Sequence, residues 1–209
     1  MSESLSVWDG WAWGCQLVGW LWLREVDADT WQELNEEPLR SLFLKAGGWL
    51  PDSFDPQQTS HWVQRLAEEY CRLFVGPRDH RPLVQSVWEQ QQFQGDPAAQ
   101  MLRWWNLLGW EPEVRGVQVP PDHLGLQWLT LGHFCSLYAE AKRRGSSSLG
   151  SEKELMQMMA TFLCLHLAWF GPVCRWVDQQ STEPFYRKLA LMTGRILIGL
   201  QNEVRKALQ

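Results

Sequence analysis

The sequence lacks the loops and spacings on which common catalytic and nucleotide chemistry is built. It contains no G-x-x-x-x-G-K-[ST] phosphate cradle, no G-x-G-x-x-G turn and no G-x-S-x-G elbow. The five histidines (His61, His80, His123, His133, His166) form no H-x-x-x-H or H-E-x-x-H pair, so no two share a helix face as metal ligands would. The five cysteines (Cys15, Cys71, Cys135, Cys164, Cys174) form no C-x-x-C, and their odd number and irregular spacing exclude a disulfide framework. They are expected as buried thiols in a reducing compartment, with no metal and no cofactor. Basic residues are outnumbered, 19 Lys and Arg against 24 Asp and Glu. The resulting net charge of -5 argues against nucleic-acid binding and favours a basic partner, such as an arginine-bearing peptide. The apolar stretch from Val7 to Leu23 follows no Lys or Arg and is interrupted by Asp9. It reads as a core helix rather than a secretory signal or a membrane span, so no membrane insertion and a cytoplasmic location are expected.

What the chain does have is helical periodicity. At 209 residues, 45% hydrophobic and 21% charged, it has the size and composition of one soluble domain. The stripe Trp13, Leu17, Trp20, Leu21 predicts a first helix to about Arg24. Asp29 or Thr30 is expected to cap a second helix, and Pro38 to open a third that ends at Gly47 and Gly48. After a loop over 50–58, Trp62, Leu66, Tyr70 and Leu73 mark a helix that stops at Gly76-Pro77, with the glycine expected to take positive φ. An extended connection is predicted from Arg78 to Val87. Met101, Trp104, Trp105 and Leu108 then mark a helix closed by Gly109. A second irregular link, 111–119, leads to Pro120-Pro121-Asp122, where Asp122 is expected to cap the next helix. RRGSSSLGS, residues 143–151, reads as a surface loop. Leu155, Met159, Phe162, His166 and Trp169 form one stripe, and Phe185, Leu189, Met192, Ile196 and Leu200 another. The expected fold is all-α, a single domain (1–209) of roughly eight to ten helices, with a possible hinge at 111–121.

Three blocks of the chain stand out: EEYCRLFVGP (68–77), PPDHLGLQW (120–128), and FLCLHLAWFGPVCRWV with the later FYRKLA (162–190). Tyr70, Arg72, Leu73, Phe74, Gly76 and Pro77 fit a Y-x-R-L-F-x-G-P pattern, followed by the triplet Ser86, Val87, Trp88. Pro120, Asp122, His123, Leu124 and Gly125 fit P-x-D-H-[IL]-[GA]. His166, Leu167 and Trp169 form H-L-x-W, one residue short of the H-L-x-x-W spacing, and Phe185, Tyr186, Leu189 and Ala190 fit F-Y-x-x-L-A. In this order and at these distances the motifs resemble the TorD/DmsD family of cytoplasmic molybdoenzyme chaperones, over nearly the whole chain.

That resemblance implies an all-helical protein that performs no covalent chemistry. It would bind the twin-arginine signal peptide and the apo form of a molybdopterin-dependent oxidoreductase subunit, and hold both for cofactor insertion before export. The peptide-binding residues it implies are Phe74, Gly76, Pro77, Ser86, Val87, Trp88, Asp122 and His123. The segment Arg81 to Trp88 departs from the family, lacking its double proline and the aromatic before the serine. A monomer or a domain-swapped dimer is compatible with the resemblance.

Read by themselves, Asp122 and His123 leave two roles open: helix capping, or one wall of a groove in which the carboxylate meets an incoming arginine. Most of the fifteen tryptophans are expected in the core, with Trp88, Trp104 and Trp105 as groove residues. Two other functions stay open: a nucleotide-dependent regulator or enzyme using Asp122 and His123 as an acid/base pair, and a small-molecule carrier with a tryptophan-rich groove.

Overall fold

The computed structural model describes residues 6–114, 116–145, 147 and 149–209. Arg115 of the expected link, and Ser146 and Ser148 of the expected surface loop, lie outside the described residues. Those described form ten α-helices and no strand, as the all-α expectation required: α1 (Val7–Leu23), α2 (Ala28–Asn35), α3 (Leu39–Lys45), α4 (Thr59–Tyr70), α5 (Gln85–Gln90), α6 (Asp96–Leu108), α7 (Leu124–Arg144), α8 (Glu152–His166), α9 (Phe170–Gln180) and α10 (Pro184–Ala207). None of them alone is long and apolar enough to cross a membrane.

The helix ends follow local chemistry, not always from the residues the sequence nominates. Asp27, rather than Asp29 or Thr30, caps α2, its carboxylate accepting from Thr30 N at 2.8 Å. Pro38 and the Gly47-Gly48 pair bracket α3 as expected. Gly109 closes α6 in the left-handed region at φ 59. Ser151 and Glu154 form a capping box that opens α8. Beyond α4 the chain widens into one π-helical turn, Cys71–Val75, closed by Gly76 N donating to Cys71 O at 2.6 Å. Gly76 has φ -60 and ψ 172, so it is not left-handed as expected. A Cβ there would sit 3.0 Å from Cys71 O, a tight contact that glycine avoids.

Two further expectations are corrected. The connection after Pro77 ends sooner than Val87, because α5 begins at Gln85. Ser86, Val87 and Trp88 therefore occupy helical turns instead of extended chain. The stripe from Leu155 to Trp169 is broken after His166 and restarts as α9. Pro172 supplies the reason, since its ring would clash with the carbonyl four residues earlier in a continuous helix.

The chain divides into two compact units. One comprises Met1–Leu23, Val84–Trp169 and Ile196–Gln209; the other comprises Arg24–Leu83 and Phe170–Arg195. Residues 111–121 fall inside the first. That unit is organised by α1 against α7. The face α1 buries carries Trp8, Ala12, Cys15, Val18, Gly19 and Trp22, whereas Trp13 and Trp20 of the expected stripe are exposed. Small residues decide the register. A Cβ on Gly125 would lie 2.8 Å from Gly19 O and from Leu23 Cα, and one on Gly132 would lie 3.1 Å from Ala12 O. The two backbones can approach this closely only where side chains are missing. Around the seam, Trp22 and Trp128 are fully buried. Each such indole removes about 150–250 Å² from water, about 4–6 kcal/mol at 25 cal/mol per Å².

The second unit has an aromatic core. Phe185 stacks on Phe43 with centroids 6.0 Å apart and lies 6.3 Å from Trp31, which stacks on Trp62 at 5.9 Å. Tyr186 meets Tyr70 and Phe74, each at 6.1 Å.

Candidate functional site

The sequence blocks resolve into two buried polar knots, one in each unit. In the first unit, Asp122 does not cap α7. His123 does, its Nδ1 accepting from Gly125 N at 3.2 Å. Asp122 is fully buried and reaches back 36 residues, its Oδ2 accepting from Ser86 N at 2.8 Å. Its main-chain oxygen accepts from Gln85 N at 3.1 Å, and Val84 bridges His123. The start of α5 is thus pinned to the start of α7. Burial pushes the His123 imidazole down to about 3, so it is neutral at pH 7 and free to accept.

Beside this pin runs a chain of buried amides. Gln85 Nε2 donates to Leu165 O at 2.7 Å and to Glu89 Oε2 at 2.9 Å, which fixes its Oε1 as an acceptor. Gln127 Nε2 donates to that Oε1 at 2.7 Å, and Gln127 Oε1 accepts from Trp169 Nε1 at 3.0 Å. His166 Nδ1 lies 3.1 Å from the same Gln85 Oε1 and must therefore carry the proton. Burial pushes His166 down to about 4, consistent with a neutral ring. Trp169 Nε1 also donates to His166 O at 2.8 Å and so caps the broken end of α8. Three atoms of this region have no partner among the described residues: Asp122 Oδ1, Ser86 Oγ and His166 Nε2.

In the second unit the knot centres on Glu69. Its Oε1 accepts from Ser181 Oγ at 2.8 Å, Thr182 N at 2.6 Å and Glu183 N at 3.3 Å. Arg72 holds both carboxylate oxygens, Nε to Oε2 at 2.8 Å and Nη2 to Oε1 at 2.9 Å, and also donates to Gln180 O at 2.6 Å. Burial alone would raise the Glu69 carboxyl; the bonds from Arg72, Ser181 and the two backbone N–H groups outweigh it and bring it down to about 2. Tyr186 OH donates to Leu66 O at 3.1 Å. The block at 68–77 and the F-Y-x-x-L-A block therefore clamp the turn between α9 and α10 and the stem of α4.

Of the eight residues singled out in the sequence, Ser86, Val87, Trp88, Asp122 and His123 come together in the first unit. Phe74, Gly76 and Pro77 belong to the second. Ser86, Asp122, His123, Phe74 and Gly76 are buried; Val87 and Trp88 are half-buried and Pro77 is exposed. Trp88 lies 6.1 Å from Trp169. Trp105 is buried, its Nε1 donating to Thr130 Oγ1 at 2.9 Å, and Trp104 meets Phe134 and Phe162 edge-on at 5.7 Å. Both serve packing within the first unit. Of the five thiols expected to be buried, Cys15 and Cys135 are, Cys71 and Cys174 are half-buried, and Cys164 is exposed. Among the described residues no three His, Cys, Asp or Glu side chains gather where they could hold a metal ion.

Sequence reasoning missed Glu69, Gln85, Gln127 and Ser181, each of which has a partner between 42 and 114 residues away. It also missed a cavity of about 400 Å³ in the first unit, lined by Gln16, Trp20, Trp110, Glu111, Pro112, Glu113 and Leu129. The one available signal was local: Trp110 and two glutamates open the irregular link.

Comparison with known families matches residues 28–175 to the family described as "Nitrate reductase delta subunit". No curated protein matches the chain, and no solved structure does.

Proposed function

This chain belongs to the nitrate reductase delta subunit family, the family of TorD-like redox-enzyme maturation chaperones, and from that premise we propose that it binds the twin-arginine signal peptide and the apo form of a molybdopterin-dependent oxidoreductase catalytic subunit. Members of the family are chaperones rather than enzymes and act with molybdoenzyme subunits. In this reading the protein works in the cytoplasm, holds its client until the cofactor is inserted, and then releases it for export. The observation that carries the reading is the family match over residues 28–175.

The residues proposed for peptide binding divide by exposure. In the first unit Val87 and Trp88 are accessible enough to touch a peptide, while Ser86, Asp122 and His123 hold α5 and α7 in place beneath them. In the second unit Pro77 is the accessible member, with Phe74 and Gly76 buried under it. Asp122 is a positioning residue here: it is fully buried, and its Oδ2 accepts from Ser86 N. The neutral, capping state of His123 likewise disfavours it as one half of an acid/base pair.

Calorimetric titration with the twin-arginine signal peptides of the host's own molybdoenzymes tests this reading. Saturable binding of one peptide, weakened several-fold by Trp88→Ala, is the expected result. No binding of any such peptide would overturn it.

A further inference from the structure

The cavity lined by α1, α7 and the first residues of the link has a chemistry of its own. Trp20 is 39% exposed although its neighbours on α1 face the core, and its ring forms one wall. Trp110 forms another. Its indole lies parallel to His133 within 7° at 4.3 Å between centroids, which uses one ring face and fixes the plane. Glu111 and Glu113 are exposed at the rim, and among the described residues neither has a cationic partner. Buried Leu129 and Pro112 form the floor, and Gln16 adds an amide. The volume, about 400 Å³, falls within the range of small ligand pockets, about 300–1,000 Å³.

Two indoles and two carboxylates around one cavity select a planar cation. A guanidinium can stack on an indole and still present its N–H fork in plane to carboxylates. An ammonium is a compact, strongly hydrated point charge and uses the aromatic walls poorly. A neutral apolar ligand would leave the two glutamates idle, and an anion would be repelled by them. We infer that this cavity is an arginine subsite, which receives the side chain of an arginine from a client peptide. The inference rests on the peptide-binding reading above for the source of that arginine, while the chemistry of the cavity stands without it.

The experiment has two arms. Arginine amide, with lysine amide as control, is titrated into the isotope-labelled full chain, and the indole N–H resonances of Trp20 and Trp110 are followed after assignment with Trp20→Phe and Trp110→Phe. Saturable shifts with arginine amide, several-fold weaker with lysine amide and lost in the doubly substituted Glu111→Gln, Glu113→Gln protein, are expected. Both substitutions are at exposed positions, so the variant retains its fold, which its circular dichroism checks. No saturable shift, or the same shift in the double variant, overturns the inference. In the second arm a labelled peptide with two adjacent arginines before an apolar segment is bound to both proteins. About tenfold weaker binding to the double variant is expected from the loss of charge-assisted contacts. Equal binding would put the peptide's arginines elsewhere and overturn the inference, leaving the proposed function in force. An arginine amide response without any peptide binding would uphold the subsite and overturn the proposed function.

Discussion

Glu69 and Asp122 are buried carboxylates that each accept from the backbone of a distant helix boundary. Glu69 collects donors from Arg72, Ser181 and two backbone amides, and its carboxyl is lowered from 4.5 to about 2. A carboxyl lowered on folding adds stability that is complete above about pH 4.5 and is lost as pH falls towards 2, here about 3 kcal/mol. His123 and His166, lowered from 6.5 to about 3 and about 4, act over a higher window. They are neutral in the folded chain and protonated in the unfolded one, so stability falls as pH drops below 6.5. Urea unfolding from pH 7 to pH 3 is expected to show both declines. Glu69→Gln should flatten only the lower one and cost about 2–3 kcal/mol at pH 7. A lower limb unchanged in that variant would deny Glu69 its role.

Asp122 and Ser86 make a sharper pair. Asp122→Ala leaves the buried Ser86 N–H without its acceptor and should cost about 1–3 kcal/mol. Ser86→Ala keeps that N–H and deletes a buried hydroxyl that has no partner among the described residues, so it should be neutral or slightly stabilising. Equal losses from both in thermal unfolding would contradict the assignment of the bond to the backbone of Ser86.

At the scale of elements, the seam between α1 and α7 is set by what is absent from it. Gly125→Ala drives a methyl into the backbone of α1, at 2.8 Å from Gly19 O, and should cost about 1–3 kcal/mol. Gly14, on α1 itself, has open space where a methyl would stand, with nothing within 4 Å. Gly14→Ala should therefore stabilise by about 0.5–1 kcal/mol through helix propensity. Paired denaturant titrations of the two variants check both signs.

The same seam explains what could and could not be read from sequence. Helix existence was legible, and so were ends with local signals: Gly109 after α6, Pro38 before α3, the glycines after α3. The buried face of α1 was not. Tryptophans lie on two opposite faces of that helix, so a stripe drawn through Trp13 and Trp20 reads as readily as the buried one through Trp8 and Trp22. What distinguishes the faces is the fit of Ala12, Cys15 and Gly19 to glycines of α7 more than a hundred residues away. Asp122 fails for a similar reason. It has the chemistry of a cap, but His123 stands one residue closer to the helix, and a backbone N–H 36 residues back claims the carboxylate. The break between α8 and α9 has its signal in Gly171-Pro172, but His166 and Trp169 keep the helical spacing across it and mask it.

For the molecule as a whole, the three blocks that carry the family resemblance share one property. Their polar residues are mostly spent on helix boundaries: Glu69 and Arg72 on the α9–α10 turn, Asp122 and His123 on α5 and α7, Trp169 on the end of α8. In the proposed reading such motifs build the scaffold, on which the accessible Val87, Trp88 and Pro77 meet the peptide. The proposed function makes the chain the chaperone of one molybdoenzyme. The measurement that tests it most directly is affinity capture of the tagged full chain from its host, grown anaerobically while making molybdoenzymes, with mass spectrometry of what is retained. Strong enrichment of one molybdopterin-dependent subunit still carrying its twin-arginine signal sequence is expected. Capture that retains no such subunit, while the host demonstrably synthesises them, would contradict it.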